Sequence, residues 1–319
     1  MVEVSNLKKR YGKNLALKGI SFSVNVGEIV GFLGPNGAGK STAMNIIAGY
    51  ISSSYGTVTI EGHDILSDAE NAKKEIGYLP EQVPLYPDMT VDEYLSFIYE
   101  LKKCDLNRKR HLDEICSAVK IEDVRSRLIK NLSKGYRQRV GIAQALVGNP
   151  KIIILDEPTV GLDPKQIVEV RNLIRILGRD HAVILSTHIL SEVQAVCDRM
   201  IIINNGQIIA DEPTEDISNL VGHARRVRAT LCGPVKEIET ALRALDGVVT
   251  VQTLAAREAD ACEYVIECAE GKDIRRDIFD LACKNGWALI GLENMGMKLE
   301  DVFLSLTKRG AKVKNGGKA

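Results

Sequence analysis

The sequence of 319 residues is long enough for about two domains with buried cores. Its 45% hydrophobic and 26% charged residues are typical of a globular protein, and they exclude collagen-like and disordered chains. The 42 basic residues balance the 42 acidic residues, which argues against a protein-wide positive field. We therefore expect no nucleic-acid partner.

Three features bear on the cellular compartment. The chain has no run of the roughly 18 consecutive apolar residues that a membrane-spanning helix needs. Its N-terminus lacks the basic start, apolar stretch and cleavage site of a secretory signal. The seven cysteines are scattered, without a C-x-x-C pair, which favours reduced thiols over a disulfide frame or a zinc site. These features predict a cytoplasmic protein.

The pattern along the chain predicts two domains. From Val2 to about Asn219, short β-branched runs alternate with helical patterns and Gly-rich turns, as in an α/β domain. Within it, residues 90–149 lack strand runs and predict a helical subdomain, which begins with a capping box at Thr90–Glu93. The Pro- and acid-containing segment before Gly222 predicts a boundary near residue 220, between domains 1–219 and 220–319.

The sequence of the second domain predicts a smaller α+β fold. Periodicity indicates strands at 227–231, 248–254, 263–268 and 288–292 and helices at 238–245 and 274–282. This β-α-β-β-α-β order is that of a ferredoxin-like unit. A last helix at about 299–306 and a frayed basic tail at 308–319 complete the prediction.

A phosphate-binding loop follows the first apolar strand pattern. The segment Gly34–Ser41 matches G-x-x-x-x-G-K-[ST] in full, after the strand-like Glu28–Leu33 and before a helical pattern. Its glycines let backbone N–H groups point at phosphate oxygens, at the positive end of the following helix. The predicted nucleotide-binding residues are Gly34, Pro35, Asn36, Gly37, Ala38, Gly39, Lys40, Ser41 and Thr42. Among them, Lys40 would bridge the β- and γ-phosphates and Ser41 would ligate Mg²⁺.

A second apolar run ends in two carboxylates. Lys151–Leu155 predicts a buried parallel strand, and Asp156 and Glu157 follow at its carboxyl end, where open α/β sheets bind ligands. Asp156 suits the metal shell opposite Ser41, and Glu157 suits activation of the attacking water. Taken alone, the pair could equally be solvated acids, but beside a phosphate loop we favour catalysis.

Three further motifs follow in order: Leu132–Arg139 before the second strand, Gly161–Pro164 after it, and Ser186–His188 at the end of another apolar run. With the phosphate loop and the carboxylate pair, the chain over about residues 2–215 resembles the nucleotide-binding subunit of an ATP-binding-cassette (ABC) transporter. The resemblance implies an α/β P-loop NTPase cassette, with a mixed-sheet core and a helical subdomain.

The resemblance also implies roles for single residues. Tyr11 would stack on adenine, and Ser133 and Gly135 would reach the γ-phosphate held by the other subunit of a dimer. Asp163 would link the two sites across that interface, and His188 would position the hydrolytic water together with Glu157. Structural alternatives remain open: a surface tyrosine, a helix-capping serine, an Asp-Pro turn and a structural histidine.

The chain departs from the family pattern at two places. The signature, usually Leu-Ser-Gly-Gly-Gln, has Lys134 and Tyr136 at its third and fifth positions. The position that often carries a metal-touching glutamine aligns with Glu81, and Gln82 comes one residue later. Either residue could serve, and a glutamate would add negative charge near Mg²⁺.

These observations predict an ATPase subunit that binds ATP and Mg²⁺ together with a second copy of itself or a related cassette. It would power a separate integral membrane permease from the inner face of the cell membrane. The ending Leu299–Thr307 resembles cassettes of drug, lipid and sodium export, or is a plain amphipathic helix. The alternatives are a soluble cassette acting on DNA, ribosomes or cofactor assembly, and a small-molecule P-loop kinase, which would leave the signature and His188 unexplained.

Overall fold

A computed structural model describes residues 1–217, 226–255, 261–269 and 272–295. The chain divides into two compact units, Met1–Thr214 and Glu215–Ala319. The predicted boundary near residue 220 lies outside the described residues, as do the predicted last helix and basic tail. Within the described ranges, no helix combines the length and the apolar character needed to cross a membrane.

The first unit alternates strands and helices. In chain order its elements are β1 (Val2–Tyr11), β2 (Asn14–Val24), β3 (Ile29–Leu33), α1 (Lys40–Ile47), β4 (Tyr55–Ile60), β5 (His63–Asp64), α2 (Ala69–Lys74), β6 (Ile76–Leu79), α3 (Val91–Leu101), α4 (Arg108–Val119), α5 (Lys134–Leu146), β7 (Ile152–Asp156), α6 (Pro164–Leu177), β8 (Ala182–Thr187), α7 (Leu190–Val196), β9 (Arg199–Asn204) and β10 (Gln207–Pro213).

Two sheets form the core of this unit. The larger has the strand order β10-β9-β3-β8-β7-β6 and is parallel except for β10. The smaller is antiparallel, with the order β2-β1-β4-β5. Strands β3, β7 and β8 are buried along their whole length, as expected of parallel strands covered on both faces. The predicted mixed-sheet α/β fold is confirmed.

Helices occupy the segment where the sequence predicts them. The capping box before α3 forms: the Glu93 N–H donates to Thr90 Oγ1 at 3.2 Å, and the Thr90 N–H donates to Glu93 Oε2 at 2.8 Å. Asn107 caps α4 and Ser133 caps α5. Helix α5 packs closely on β6, since a Cβ at Gly77 would collide with the Ala145 carbonyl oxygen near the end of the helix.

The second unit has the predicted β-α-β-β-α-β order. Its elements are β11 (Arg226–Cys232), α8 (Val235–Arg243), β12 (Val248–Ala255), β13 (Ala261–Cys268), α9 (Arg275–Asn285) and β14 (Ala288–Met295). The strands are antiparallel in the order β12-β13-β11-β14, as in a ferredoxin-like sheet. Alternate residues of β11 are buried against Ile238 and Leu242 of α8 and Ile278 of α9.

Candidate active site

The candidate site lies at the carboxyl ends of three adjacent parallel strands. Strand β8 pairs with β3 on one side and β7 on the other, with Leu33 opposite Thr187 and Asp156 opposite Ser186. The phosphate loop follows β3, the carboxylate pair ends β7, and His188 follows β8. The topology therefore brings three of the sequence motifs to one sheet edge, where such folds bind ligands.

The phosphate loop has the backbone that its glycines predict. Gly37 and Gly39 adopt φ angles of 78° and 111°, in a region where residues with a Cβ are strained. A Cβ at Gly34 would collide with the carbonyl oxygen of Ile203, so the loop also packs closely against β9. Helix α1 begins at Lys40, directly after Gly39. The remaining positions are Pro35, Asn36 and Ala38 in the loop, and Ser41 and Thr42 in the first turn of α1.

Lys40 is the cation of this edge. Its side chain is buried, and Nζ donates to the Gly34 carbonyl oxygen at 2.7 Å. Burial lowers the pKa of Lys40, and the carboxylates of Glu157, Asp156 and Glu81 act in the opposite direction.

Asp156 is a buried carboxylate with an unsatisfied oxygen. Its residue is 2% exposed, and Oδ1 has no hydrogen-bond partner. Burial raises its pKa, the hydroxyls of Ser186 and Ser41 oppose the rise, and the charges of Glu157 and Glu81 add to it. A divalent cation would satisfy Oδ1 and offset this negative charge, so the donor set fits Mg²⁺.

Gln82, the alternative to Glu81 in the metal shell, lies beside it. Both line a cavity of about 600 Å³, together with Lys134 from the signature segment and Val160. Among the described residues, no group of three or more His, Cys, Asp or Glu side chains could hold a metal by itself. Mg²⁺ does not need one, because it commonly takes one or two protein oxygens plus phosphates and waters.

Glu157 combines backbone strain with burial. Its φ of 51° is left-handed, which costs a non-glycine residue about 1 kcal/mol. Its N–H donates to the Ser186 carbonyl oxygen at 2.8 Å, which fixes the end of β7 against β8. The side chain lies 2.8 Å from His188 Nδ1 through Oε1 and 3.3 Å from Thr187 Oγ1 through Oε2. Strain of this kind is held in place by surrounding structure and is frequent at active sites.

His188 is the partner of Glu157 in this arrangement. Its side chain is 46% exposed, whereas that of Glu157 is 8% exposed. Because an ionised carboxylate only accepts hydrogen bonds, the shared proton belongs to Nδ1 and Nε2 remains available for a further contact. The pair can thus hold a water next to a buried base, because Nε2 can accept a hydrogen from that water.

The signature residues Ser133 and Gly135 lie at the N-terminal end of α5. Ser133 caps α5 by accepting from the Tyr136 N–H at 3.4 Å, and a Cβ at Gly135 would lie 2.6 Å from the Gln166 side chain. Asp163 caps α6 and accepts from the Gln166 N–H at 2.9 Å. No hydrogen bond between described residues joins these three predicted residues to the phosphate loop. Ser133 and Asp163 therefore each stabilise the start of a helix.

Tyr11, the predicted adenine contact, ends β1. Its side chain is half exposed, and Lys9 Nζ lies 5.2 Å from the centre of its ring. An exposed ring at a strand end can stack on a base, but no described contact joins it to the phosphate loop.

Sequence reasoning missed Glu192 and the threonines that bind it. Glu192 is 2% exposed in the first turn of α7 and accepts hydrogen bonds from Thr159 and Thr187. The sequence held a weak signal: Glu192 lies between Leu190 and Val193, which are buried residues of the same short helix. An acid among apolar helix positions indicates a specific polar contact.

Comparisons with known proteins agree with this geometry. Residues 17–160 match the family model for the ABC transporter. The chain is 33% identical over 315 residues to the linearmycin resistance ATP-binding protein LnrL of Bacillus subtilis, covering 97% of this chain and 99% of that protein. It is 37% identical over 225 residues to the lipopolysaccharide export system ATP-binding protein LptB of Haemophilus influenzae, covering 69% of this chain and 93% of that protein.

Solved structures of ABC cassettes share the fold. The dimeric structure of the bacterial cassette MJ0796 is 29% identical, covers 67% of this chain and 99% of its own, and has a TM-score of 0.62. The same cassette in a post-hydrolysis state bound to ADP and phosphate has a TM-score of 0.61. It is 29% identical, and the match covers 67% of this chain and 99% of that chain. The phosphate loop, the buried carboxylates and these relatives lead to one conclusion: the chain belongs to the ABC transporter family as an ATP-binding subunit and is an ATPase.

Proposed function

We propose that the chain binds two MgATP between itself and a second cassette, and that hydrolysis powers export through a separate membrane permease. One observation carries the proposal. The phosphate loop and the signature segment are two anion-binding elements, and no described hydrogen bond joins them within one chain. A second copy placed head to tail would close both around the same nucleotide.

The residues at the sheet edge suit MgATP. Backbone N–H groups of residues 34–39 and the Lys40 ammonium would bind the β- and γ-phosphates. Ser41, Asp156 and either Glu81 or Gln82 would hold Mg²⁺. The bound cation would neutralise phosphate charge during phosphoryl transfer. The unsatisfied Oδ1 of Asp156 supports this assignment. Tyr11 would contact the adenine.

Hydrolysis would use Glu157 as the base. A water oxygen attacks the γ-phosphorus, the bond to the β-γ bridging oxygen breaks, and ADP leaves with its electron pair. Glu157 Oε2 takes one water proton, and His188, whose Nδ1–H donates to Oε1 of the same carboxylate, orients the water by accepting its other hydrogen at Nε2. Burial of Glu157 beside a fixed histidine supports this division of roles.

The signature would act on the partner's nucleotide. Ser133 and the first N–H groups of α5 form a helix N-terminus, which favours an anion. Lys134, which replaces the usual glycine, adds a positive charge at the same end. Asp163, at the N-terminus of α6, would link the two composite sites across the interface.

The relatives support export as the class of transport. LnrL is a linearmycin resistance protein, and LptB belongs to a lipopolysaccharide export system. A third relative, 35% identical over 212 residues, is the Nod factor export ATP-binding protein I of Burkholderia orbicola. We therefore assign this chain to export, peripheral on the inner face of the cell membrane through its permease.

The test is purification of the tagged chain from detergent-solubilised membranes of its own cells. We expect a multi-span membrane protein in stoichiometric amount, and an ATPase activity that the complex retains. Glu157→Gln is the matched control, because it should keep the partner while losing hydrolysis. Recovery of the chain with DNA or ribosomes, and without a membrane protein, would contradict the proposal and favour the soluble alternative.

A further inference from the structure

Glu192 is a buried carboxylate that the proposed mechanism does not use. Oε1 accepts a hydrogen bond from the Thr159 hydroxyl, and Oε2 accepts one from the Thr187 hydroxyl at 2.9 Å. In the part of the chain that the structure describes, no lysine or arginine forms an ion pair with it. Burying a carboxylate without a cation is costly unless hydrogen bonds compensate. The two hydroxyls are therefore the contacts that hold Glu192 in place.

The two threonines belong to two different functional loops. Thr159 lies two residues after Glu157 and begins the turn towards Asp163, in which the Leu162 N–H donates to the Thr159 carbonyl oxygen at 3.2 Å. Thr187 ends β8 directly before His188, and its Oγ1 also accepts from the Ile189 N–H at 3.1 Å. Glu192 thus connects the loop after β7 with the loop after β8.

We propose that Glu192 is a positioning residue for ATP hydrolysis. It holds the Glu157 loop and the His188 loop in register by accepting one hydrogen bond from each. The inference rests on the proposed roles of Glu157 and His188, because it concerns how these side chains are oriented and not whether they react.

The distances at Thr187 add a second effect. The Thr187 hydroxyl has one proton and two carboxylate neighbours, Glu192 Oε2 at 2.9 Å and Glu157 Oε2 at 3.3 Å. The hydroxyl donates its hydrogen bond to Glu192 Oε2, because this distance is the shorter of the two and strong hydrogen bonds to carboxylates are short. Glu157 Oε2 then keeps its lone pairs for the attacking water. Without Glu192, the hydroxyl would turn to Glu157 and weaken it as a base.

The test separates positioning from stability. Glu192→Ala should lower kcat by about 10- to 100-fold, the range for a misplaced catalytic group, while ATP affinity and KM change by less than about twofold. Val196→Ala is the matched control, since Val196 is buried in the same helix but forms none of these hydrogen bonds. It should keep the wild-type kcat. Glu192→Gln, whose amide can bind both threonines, should recover part of the lost rate.

A double-mutant cycle addresses the contact itself. Thr187→Val should lower kcat. The double variant Thr187→Val, Glu192→Ala should have a kcat within about twofold of the slower single variant, because both substitutions remove the same hydrogen bond. Multiplied losses would overturn the proposal, as would a wild-type kcat in Glu192→Ala. If Glu192→Ala does not fold, Thr159→Val and Thr187→Val carry the same kcat-against-KM test. Glu157→Gln is assayed in parallel: normal hydrolysis there refutes the proposed role of Glu157, whereas an inactive Glu157→Gln beside a fully active Glu192→Ala refutes only the role of Glu192.

Discussion

Replacing Glu157 by glutamine removes the proposed base with little change of shape. The amide oxygen can still accept from His188 Nδ1, now 2.8 Å from Oε1, but the amide nitrogen cannot take a proton from water. Loss of a positioned base lowers the rate by about 10²- to 10⁴-fold. That loss corresponds to about 3 to 5 kcal/mol of transition-state stabilisation. Glu157→Gln should therefore be almost inactive in hydrolysis.

Nucleotide binding should survive the same change. The charge of Glu157 raises the pKa of the neighbouring Asp156, so its removal lowers that pKa and favours the ionised carboxylate. An ionised Asp156 is what a divalent cation needs. We expect the variant to bind ATP at least as well as the wild type and to accumulate as an ATP-bound dimer.

Three measurements test this prediction: phosphate release under saturating ATP, binding of a fluorescent ATP analogue, and molar mass by light scattering with and without ATP. Glu100→Gln is the matched control, because Glu100 is an exposed glutamate paired with Arg108 on the helical subdomain. The control should hydrolyse ATP normally. Phosphate release by Glu157→Gln at the wild-type rate would show that Glu157 is not the base.

Three further predictions follow from the same site. Lys40→Ala should weaken ATP binding by at least about tenfold, because a charge-assisted hydrogen bond contributes about 1.5 to 3 kcal/mol; unchanged affinity for a fluorescent nucleotide would contradict the phosphate-loop assignment. Asp156→Asn should abolish hydrolysis yet raise Tm at neutral pH, because burial raises the pKa of Asp156 and so disfavours its ionised form in the folded chain. Calorimetry should show this gain vanish below the usual Asp range, where the carboxyl is protonated in both folded and unfolded states. Mixing Ser133→Arg chains with Lys40→Ala chains should restore partial activity, because one composite site of the mixed dimer is intact; no restoration in phosphate release would refute the contribution in trans.

Much of the fold could be predicted because its signals are local. The buried runs Ile29–Leu33 and Ile152–Asp156 are strands in the structure, and Gly37 and Gly39 adopt the positive φ angles that the phosphate-loop spacing predicts. In the second unit, alternating burial along β11 reproduces the two-residue period read from the sequence. The strand ends differed by a few residues: β12 extends to Ala255 and β13 begins at Ala261.

The site residues that the sequence did not predict make contacts between distant segments of the chain. The hydrogen bonds of Glu192 with Thr159 and Thr187 depend on the pairing of β7 with β8, which brings the two threonines together. The tight contact of Gly135 with Gln166 likewise joins two helices far apart in sequence. Residue type and spacing indicate at most that Glu192 makes a polar contact, whereas the partners in these contacts follow from the three-dimensional arrangement.

Glu81 and Gln82 both stay predicted members of the metal shell. The spacing alone allowed either residue, whereas in the structure the Glu81 charge acts on both Lys40 and Asp156. The Gln82 amide has no net charge and cannot act in this way, so this coupling does not distinguish the two residues.

In the proposed dimer, ATP joins two cassettes and each cassette contributes half of both sites. This arrangement is tested most directly by specific ATPase activity measured over a dilution series at saturating MgATP, with molar mass recorded at each concentration. We expect the activity per chain to fall as the dimer dissociates. Full activity per chain at concentrations where only monomer is present would contradict it.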